Sequence, residues 1–422
     1  MKVLVVGSGG REHAICWKLA QSPKVDKLYC APGNAGIGEI AELVPIGAME
    51  LDKLVDFAKE NNIDLTVIGM DDPLVAGVVD KFEAAGLRVF GPRANAAIIE
   101  GSKAFSKELM KKYNIPTAKY ETFDDYNKAL DYVKNGNFPV VLKADGLALG
   151  KGVLICNNLD EAVEGLNTLM VDKKFGASGS KVVIEEFLTG PEVSVLSFCD
   201  GNTVVPMVSA QDHKRAYDND EGLNTGGMGT FSPSRIYTDE IAKQCMDTIF
   251  KPTVDALNKE GRQFKGIIYF GLMLTKDGPK VIEYNARFGD PETQVILPRL
   301  KSDLCEIFEA CIDGTLDKFN VEWYDNAACC VVLASGGYPE SYTKGYEITG
   351  LDDVKKRSDI VVFHAGTALK DGKYVTNGGR VLGITGIGKD LDDAIKIAYE
   401  GVDIVSFENV HYRKDIGIKK YS

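Results

Sequence analysis

The chain has 422 residues, 45% hydrophobic and 26% charged, an ordinary make-up for a soluble globular protein. That length allows two to four domains, since single cores stop growing near about 250–300 residues. A net charge of −12 with no basic block argues against nucleic-acid or anionic-membrane binding, though not against a locally positive pocket for a phosphorylated substrate.

No stretch approaches the ~20 apolar residues of a membrane span, and the apolar run after Met1 is too short for a signal peptide. A cytoplasmic protein is expected. The nine cysteines form no Cys-x-x-Cys unit and the four histidines are dispersed, which points to reduced thiols and no zinc cluster.

Near the N-terminus, short apolar runs at 3–6, 28–30, 65–68 and 89–90 read as strands, with helical patterns at 14–20 and 51–61 between them. Each strand runs into a turn rich in glycine: Gly7-Ser8-Gly9-Gly10, Pro32-Gly33-Asn34, Gly69-Met70-Asp71 or Gly91-Pro92-Arg93. This predicts a parallel sheet with crossover helices and all four turns at its C-terminal edge, where open α/β sheets bind ligands. The first turn partly matches a dinucleotide fingerprint. However, Glu12 stands at the third glycine position, and the second strand ends in Tyr29-Cys30-Ala31-Pro32 without an acid for a ribose hydroxyl. A glycine turn before a helix still suits a phosphate. Gly7, Gly9, Gly10, Arg11, Gly33 and Asn34 are therefore expected to hold a phosphorylated substrate, with no nicotinamide.

From about residue 101 the pattern changes. A helix at 103–110 leads to a smaller α/β unit with strands at 140–143, 153–156 and 182–186 and a helix at 159–172. Longer strands follow at 193–199, 266–274 and 280–284, with helices at 239–260 and 298–313. The last ninety or so residues hold strands at 327–334, 360–367, 373–376 and 380–385 and a helix at 391–402. The expected division is 1–102, 103–325 with a small lid at about 117–190, and 326–422.

Five segments carry chemistry. Lys143-Ala144-Asp145-Gly146-Leu147-Ala148-Leu149-Gly150-Lys151-Gly152 joins two strands. Gly152 follows Lys151 where a Walker loop needs Ser or Thr, so the segment reads as a glycine flap over nucleotide phosphates, with Lys143 and Lys103 as cations. Ile184-Glu185-Glu186-Phe187-Leu188 ends a strand in two acids and two apolar residues and reaches Glu192. Gln211-Asp212-His213-Lys214-Arg215 packs acid, imidazole and cations together, and Asn224-Thr225-Gly226-Gly227-Met228-Gly229 is a loop whose N–H groups could approach an anion. Finally, Glu283-Tyr284-Asn285-Ala286-Arg287 precedes Gly289-Asp290-Pro291-Glu292. Side chains two apart on a strand share a face, so Glu283 and Asn285 suit Mg²⁺, which takes few protein oxygens, and Arg287 can fork onto phosphate or carboxylate.

These segments together resemble the phosphoribosylamine–glycine ligase family of the ATP-grasp superfamily, nearly end to end. The resemblance implies an N-terminal Rossmann-like domain, a two-part ATP-grasp domain with a lid, and a C-terminal strand-rich α/β domain. It implies ATP-dependent joining of glycine to 5-phosphoribosylamine in purine synthesis, through glycyl phosphate, with ADP and phosphate released. By the same resemblance Lys103, Lys143, Gly150, Lys151, Gly152 and Glu185, Glu186, Phe187, Leu188 and Glu192 hold ATP. Glu283 and Asn285 take Mg²⁺ or Mn²⁺. Asp212 holds the glycine ammonium, and Arg287 or the Thr225-Gly226-Gly227 loop its carboxylate. Lys143, Asp212 and Arg287 are the expected catalytic groups. Leu223 stands where the family has proline, and Pro191 where it more often has an acid. The expected partners are small molecules, without nucleic acid or membrane, in a monomer or weak homo-oligomer. The rival within the fold is a biotin carboxylase-like enzyme; an oxidoreductase built on the first domain is disfavoured by Glu12, and a non-catalytic nucleotide sensor by Glu283, Asn285 and the lysines.

Overall fold

Val3 to Val6 are fully buried, as expected of a strand covered on both faces. In the computed structural model, which describes residues 1–147, 152–172 and 179–418, this run is the centre of a parallel sheet. Strands β1 (Lys2–Gly7), β2 (Lys27–Pro32), β3 (Glu42–Leu43), β4 (Leu65–Ile68) and β5 (Val89–Phe90) take the order β3-β2-β1-β4-β5. Helices α1 (Gly10–Leu19), α2 (Leu51–Glu60), α3 (Asp71–Val75), α4 (Val78–Ala84) and α5 (Ala94–Gly101) connect or follow them. The strand order reverses between β1 and β4, so the turns at Gly7 and Gly69 flank the crevice at the switch point. The short β3 was not evident in the sequence, because it is two residues long and both are exposed.

Ser102 caps α6 (Lys103–Lys112), its Oγ accepting from Phe105 N–H at 3.1 Å. The chain then builds a small module from β6 (Tyr120–Phe123), α7 (Tyr126–Lys134), β7 (Val140–Ala144), β8 (Val153–Cys156), α8 (Leu159–Leu166) and β9 (Val182–Glu186), with sheet order β6-β9-β7-β8. Val133, Leu142, Leu166 and Ile184 belong to a core of its own.

The larger central sheet, β11-β10-β16-β17, is antiparallel throughout: β10 (Glu192–Asp200), β11 (Val204–Pro206), β16 (Lys265–Thr275) and β17 (Gly278–Asn285). Between its strands the chain forms β12 (Gln211–Asp212), β13 (Arg215–Tyr217), β14 (Glu221–Asn224) and β15 (Gly229–Ser232), and α9 (Asp239–Cys245) and α10 (Lys251–Lys259) pack alongside. After β17 come α11 (Thr293–Ile296) and α12 (Leu304–Asp313). The latter starts later than the 298–313 pattern suggests, because Leu300 is extended and Asp303 is the cap. Phe90 of the first sheet stacks on Phe308 of α12 at 4.0 Å, so the first two units share a core.

The last unit holds β18 (Ala327–Ser335), α13 (Leu351–Val354), β19 (Ile360–His364), β20 (Thr367–Lys370), β21 (Lys373–Thr376), β22 (Arg380–Gly388), α14 (Leu391–Ile404) and β23 (Val410–His411). Its sheet runs β12-β15-β18-β22-β19, so two strands from the middle of the chain are built into it. The Asp212 segment and the 225–227 loop are thereby carried to the junction of the central and last units. Among the described residues no helix is long and apolar enough to cross a membrane.

Candidate active site

Strand β17 changes phase in its middle. Gly271 pairs with Glu283 and Leu272 with Val281, so Ile282 is an extra residue, a β-bulge. Before it Pro279 and Val281 are buried; after it Tyr284, Ala286 and Phe288 are. The bulge therefore keeps Glu283, Asn285 and Arg287 together on the outward face while apolar neighbours on both sides stay in the core. Gly271 is opposite Glu283, and a β-carbon there would lie 2.9 Å from Glu283 Cγ.

Cations surround this face. Lys214 Nζ lies 3.5 Å from Glu283 Oε1 and 3.3 Å from Glu192 Oε2. The charges of Glu192 and Glu283 outweigh burial and hold the Lys214 ammonium well above its usual range. Burial pushes the Glu283 carboxyl up, but Lys214, Lys143, Lys103 and Arg287 more than offset it, so Glu283 stays ionised. Lys103 is held by its neighbours: its Nζ donates to Gly146 O at 2.9 Å, and its N–H to Asp145 O at 3.0 Å. Lys143 Nζ pairs with Glu185 Oε2 at 3.0 Å and donates to Ile282 O at 3.0 Å.

Glu185 is buried, with Lys143 on one side and Lys107 Nζ 3.2 Å from its other oxygen. Burial lowers the Lys107 ammonium to about 8, against the pull of Glu185. The Glu185 side chain is thus committed to two lysines, and its backbone lies inside the sheet between β6 and β7. Glu186 N–H is spent on Lys119 O at 2.9 Å. Phe187 and Leu188 lie past the last paired residue of β9, and Phe187 is 38% exposed. Gly152 O accepts from Ala144 N–H at 2.8 Å, which sets the hairpin register. Gly150 and Lys151 lie outside the described residues.

Arg287 turns toward the first domain. Its Nη2 is 3.0 Å from Glu100 Oε1 and 3.7 Å from Asp71 Oδ2. Glu100 also accepts from Ala286 N–H at 2.7 Å. Burial raises the Glu100 carboxyl to about 7 despite Arg287. Arg287 is therefore flanked by two acids, while its Nε is buried without a hydrogen-bond partner among the described residues.

A second acidic spot sits beneath the glycine loop. Asp212 accepts from His213 N–H at 2.7 Å. Burial and the charge of Glu292 hold its carboxyl well above the usual range, against Lys214 and Arg380. Glu292 is buried and accepts from Tyr269 Oη at 2.9 Å and Ser194 Oγ at 3.3 Å. Two neighbouring acids whose charges repel each other suit a cationic ligand. His213 faces away: its Nδ1 meets Gly229 O at 3.2 Å and its Nε2 accepts from Gly417 N–H at 3.2 Å.

Three expectations need correction. The 225–227 loop does not present N–H groups to an anion. Thr225 N–H donates to Lys214 O, Gly226 N–H to Tyr338 Oη, Gly227 N–H to Thr225 Oγ1 and Met228 N–H to His213 O. Asn34 has no side-chain group left for a substrate: its amide donates to Ser8 O and His364 O, and its oxygen accepts from Gly36 and Ile37 N–H. Nor is Gly9 N–H open to a phosphate, because Glu12 Oε2 accepts from it at 2.6 Å. Glu12 fills the crevice itself: a β-carbon at Gly7 or Gly69 would lie 2.5 or 2.4 Å from its side chain. Arg11 pairs with Glu12 at 2.6 Å and donates to Phe288 O at 3.1 Å, so it remains at the crevice mouth beside the β17 segment. Gly33, at φ +70, closes the second turn, its N–H donating to Gly7 O. Gly10 packs on Gln294, whose Nε2 would lie 2.6 Å from a β-carbon there.

Sequence reasoning missed Arg380, at the start of β22. Its Nη1 donates to Gly226 O at 2.8 Å and Asp290 O at 3.0 Å, and lies 3.5 Å from Asp290 Oδ1. The available signal was an arginine following Gly378-Gly379 at the head of an apolar strand.

A metal would fit Glu283 and Asn285. The carboxylate is ionised, the amide shares its face, and among the described residues no group of three or more His, Cys, Asp or Glu side chains forms a closed cage. Such a two-oxygen site suits a hard ion whose other ligands are phosphate and water.

Comparison with known proteins agrees along the whole chain. Residues 1–100 match the N domain of phosphoribosylglycinamide synthetase, 101–293 its ATP-grasp (A) domain, and 328–419 its C domain. A phosphoribosylamine–glycine ligase from Caldanaerobacter subterraneus subsp. tengcongensis is 53% identical over 99% of both chains. The crystal structure of the phosphoribosylamine–glycine ligase of Thermotoga maritima superposes with a TM-score of 0.84 at 36% identity, covering 99% of this chain and 100% of that one. The biotin carboxylase domain of the Hydrogenobacter thermophilus 2-oxoglutarate carboxylase, at 18% identity and a TM-score of 0.74 over 97% of this chain and 91% of that one, shares the fold alone. This chain belongs to the phosphoribosylglycinamide synthetase, or phosphoribosylamine–glycine ligase, family.

Proposed function

We infer that the protein joins glycine to 5-phosphoribosylamine at the expense of ATP, giving glycinamide ribonucleotide, ADP and phosphate in purine synthesis. The observation that carries this reading is the outward face of β17. There Glu283, Asn285 and Arg287 meet Lys103, Lys143 and Lys214, and the acids Asp212 and Glu292 lie close by.

ATP lies between the small module and the central sheet, its base against the backbone at 185–188. Lys103 and Lys143 neutralise its phosphates. Mg²⁺ or Mn²⁺, held by Glu283 and Asn285, draws charge from those phosphates when bound. Asp212 and Glu292 take the glycine ammonium and so aim its carboxylate at the γ-phosphorus. A carboxylate oxygen attacks phosphorus and ADP leaves. The amine of phosphoribosylamine then attacks the acyl carbon of glycyl phosphate, phosphate leaves, and the nitrogen gives up a proton. No protein nucleophile is required; positioning and charge neutralisation carry the reaction. The phosphoribosyl group docks at the mouth of the first domain's crevice, beside Arg11 and the Gly33 turn.

Phosphate release from ATP, with glycine and phosphoribosylamine each supplied or withheld, tests the reading. Release that needs both substrates supports it. Release driven by bicarbonate without glycine would instead favour a carboxylase.

A further inference from the structure

We propose that Arg380 and Tyr338, both from the C-terminal unit, are positioning residues that set glycine affinity by holding the Gly226 and Gly227 backbone over Asp212. The inference rests on reading Asp212 and Glu292 as the ammonium pocket, and adds what shapes that pocket.

Gly226 is gripped through both of the peptides that flank it. Tyr338 Oη accepts from Gly226 N–H at 3.0 Å, and Arg380 Nη1 donates to Gly226 O at 2.8 Å. Arg380 Nη1 also reaches Gly227 O at 3.4 Å and Asp290 O at 3.0 Å, so one guanidinium nitrogen ties the loop to the turn that leads to Glu292. The loop has no slack. A β-carbon at Gly226 would lie 2.9 Å from Arg380 Cζ, and one at Gly227, where φ is +121, would lie 2.7 Å from Asp212 Oδ1 and 2.5 Å from Pro291 Cδ. The Gly227 backbone is therefore the wall that Asp212 sees, and Arg380 fixes where that wall stands. Arg380 also brings positive charge toward Asp212 and Glu292, while its ion pair is with Asp290. Neither Arg380 nor Tyr338 pairs with the Glu283 face or with the lysines around it, so the nucleotide side should be indifferent to both.

Steady-state kinetics of the full chain separates the possibilities. Arg380→Met should raise the KM for glycine about ten-fold, the scale of a lost charged hydrogen bond, and leave the KM for ATP within about two-fold. Arg380→Lys should recover part of the loss. Tyr338→Phe, which removes one oxygen, should raise the glycine KM about three-fold and carries the test if Arg380→Met does not fold. Glycine and ATP constants rising together, or an unchanged glycine KM in the folded variants, overturns the proposal. Asp212→Asn is the companion variant. If it too leaves the glycine KM unchanged, the ammonium pocket itself is misplaced; if it raises that KM while the Arg380 and Tyr338 variants do not, only the positioning role fails.

Discussion

Lys143 donates a 3.0 Å hydrogen bond to the carbonyl of Ile282, the residue of β17 that the β16 ladder skips. The bulge frees that carbonyl, and a lysine from the small module takes it. The same ammonium is 3.0 Å from Glu185, so it links the small module, the segment proposed to hold the base and the strand proposed to hold the metal. Lys143→Met should leave Glu185 with Lys107 alone and remove a phosphate counter-charge. ATP affinity measured by calorimetry should fall about ten- to a hundred-fold, the range for charge-assisted hydrogen bonds. Binding within two-fold of the parent would reduce Lys143 to a structural strut.

Glu283 is the one carboxylate on the outward face of β17. Glu283→Gln keeps its shape and removes its charge. Turnover should drop by orders of magnitude while thermal unfolding stays close to the parent, because the change lies on a half-exposed face and not in a core. A second readout is Mn²⁺ binding by electron paramagnetic resonance with a non-hydrolysable ATP analogue, which should weaken. Normal turnover at saturating metal would remove Glu283 from the metal site.

Much of this site was legible in the sequence because its chemistry is local. Glu283, Asn285 and Arg287 are spaced by two, and the alternation of a strand predicts their common face. The bulge that preserves this face while shifting the buried phase at Ile282 was not legible, since it depends on how β16 pairs. The first domain's strands stood out as apolar runs before glycine turns. What fills its crevice did not: Glu12 disqualified a dinucleotide motif, but nothing in the chain announced that its carboxylate would occupy the turn. Arg380 was invisible for a plainer reason. It lies 154 residues from Gly226 in sequence, and the two meet only because β15 joins the C-terminal sheet.

Glu100 should make stability depend on pH. Its carboxyl rises from 4.5 to about 7 in the fold, because burial outweighs the attraction of Arg287. A raised folded value means the fold binds the proton more tightly than the unfolded chain does. The stabilisation is fully present below about pH 4.5 and is lost as pH climbs through about 7. The full effect is about 3 kcal/mol at most. Glu100→Gln keeps an acceptor for Ala286 N–H and cannot ionise. Urea unfolding of the two proteins from pH 5 to 8 should show the parent losing ground to the variant as pH rises. Parallel profiles would mean that Glu100 is ionised throughout, with Arg287 as its full counter-charge.

His213 lies within the Asp-His-Lys-Arg segment, yet its ring serves the C-terminal tail. Nδ1 meets Gly229 O and Nε2 accepts from Gly417 N–H, an arrangement that requires the neutral ring. Burial, with Arg413 adding to it, lowers the imidazole to about 4. The unfolded chain takes up the proton first, so this contribution to stability is present above about pH 6.5 and is lost as pH falls toward 4. The same tail holds the segment again through Arg413, whose guanidinium is buried and pairs with Asp220 at 3.1 Å and Asp415 at 2.7 Å. His213 thus sets the backbone on which Asp212 and Lys214 face the site, without transferring a proton. His213→Gln can still accept from Gly417 N–H and should keep activity within a few-fold of the parent, whereas His213→Leu leaves that donor buried and unpaired and should cost both melting temperature and glycine affinity. The pH–rate profile of the parent should show no limb near 6.5 that disappears in His213→Gln. A His213→Gln protein that melts like the parent but turns over as slowly as His213→Leu would mean that the imidazole acts in the chemistry after all.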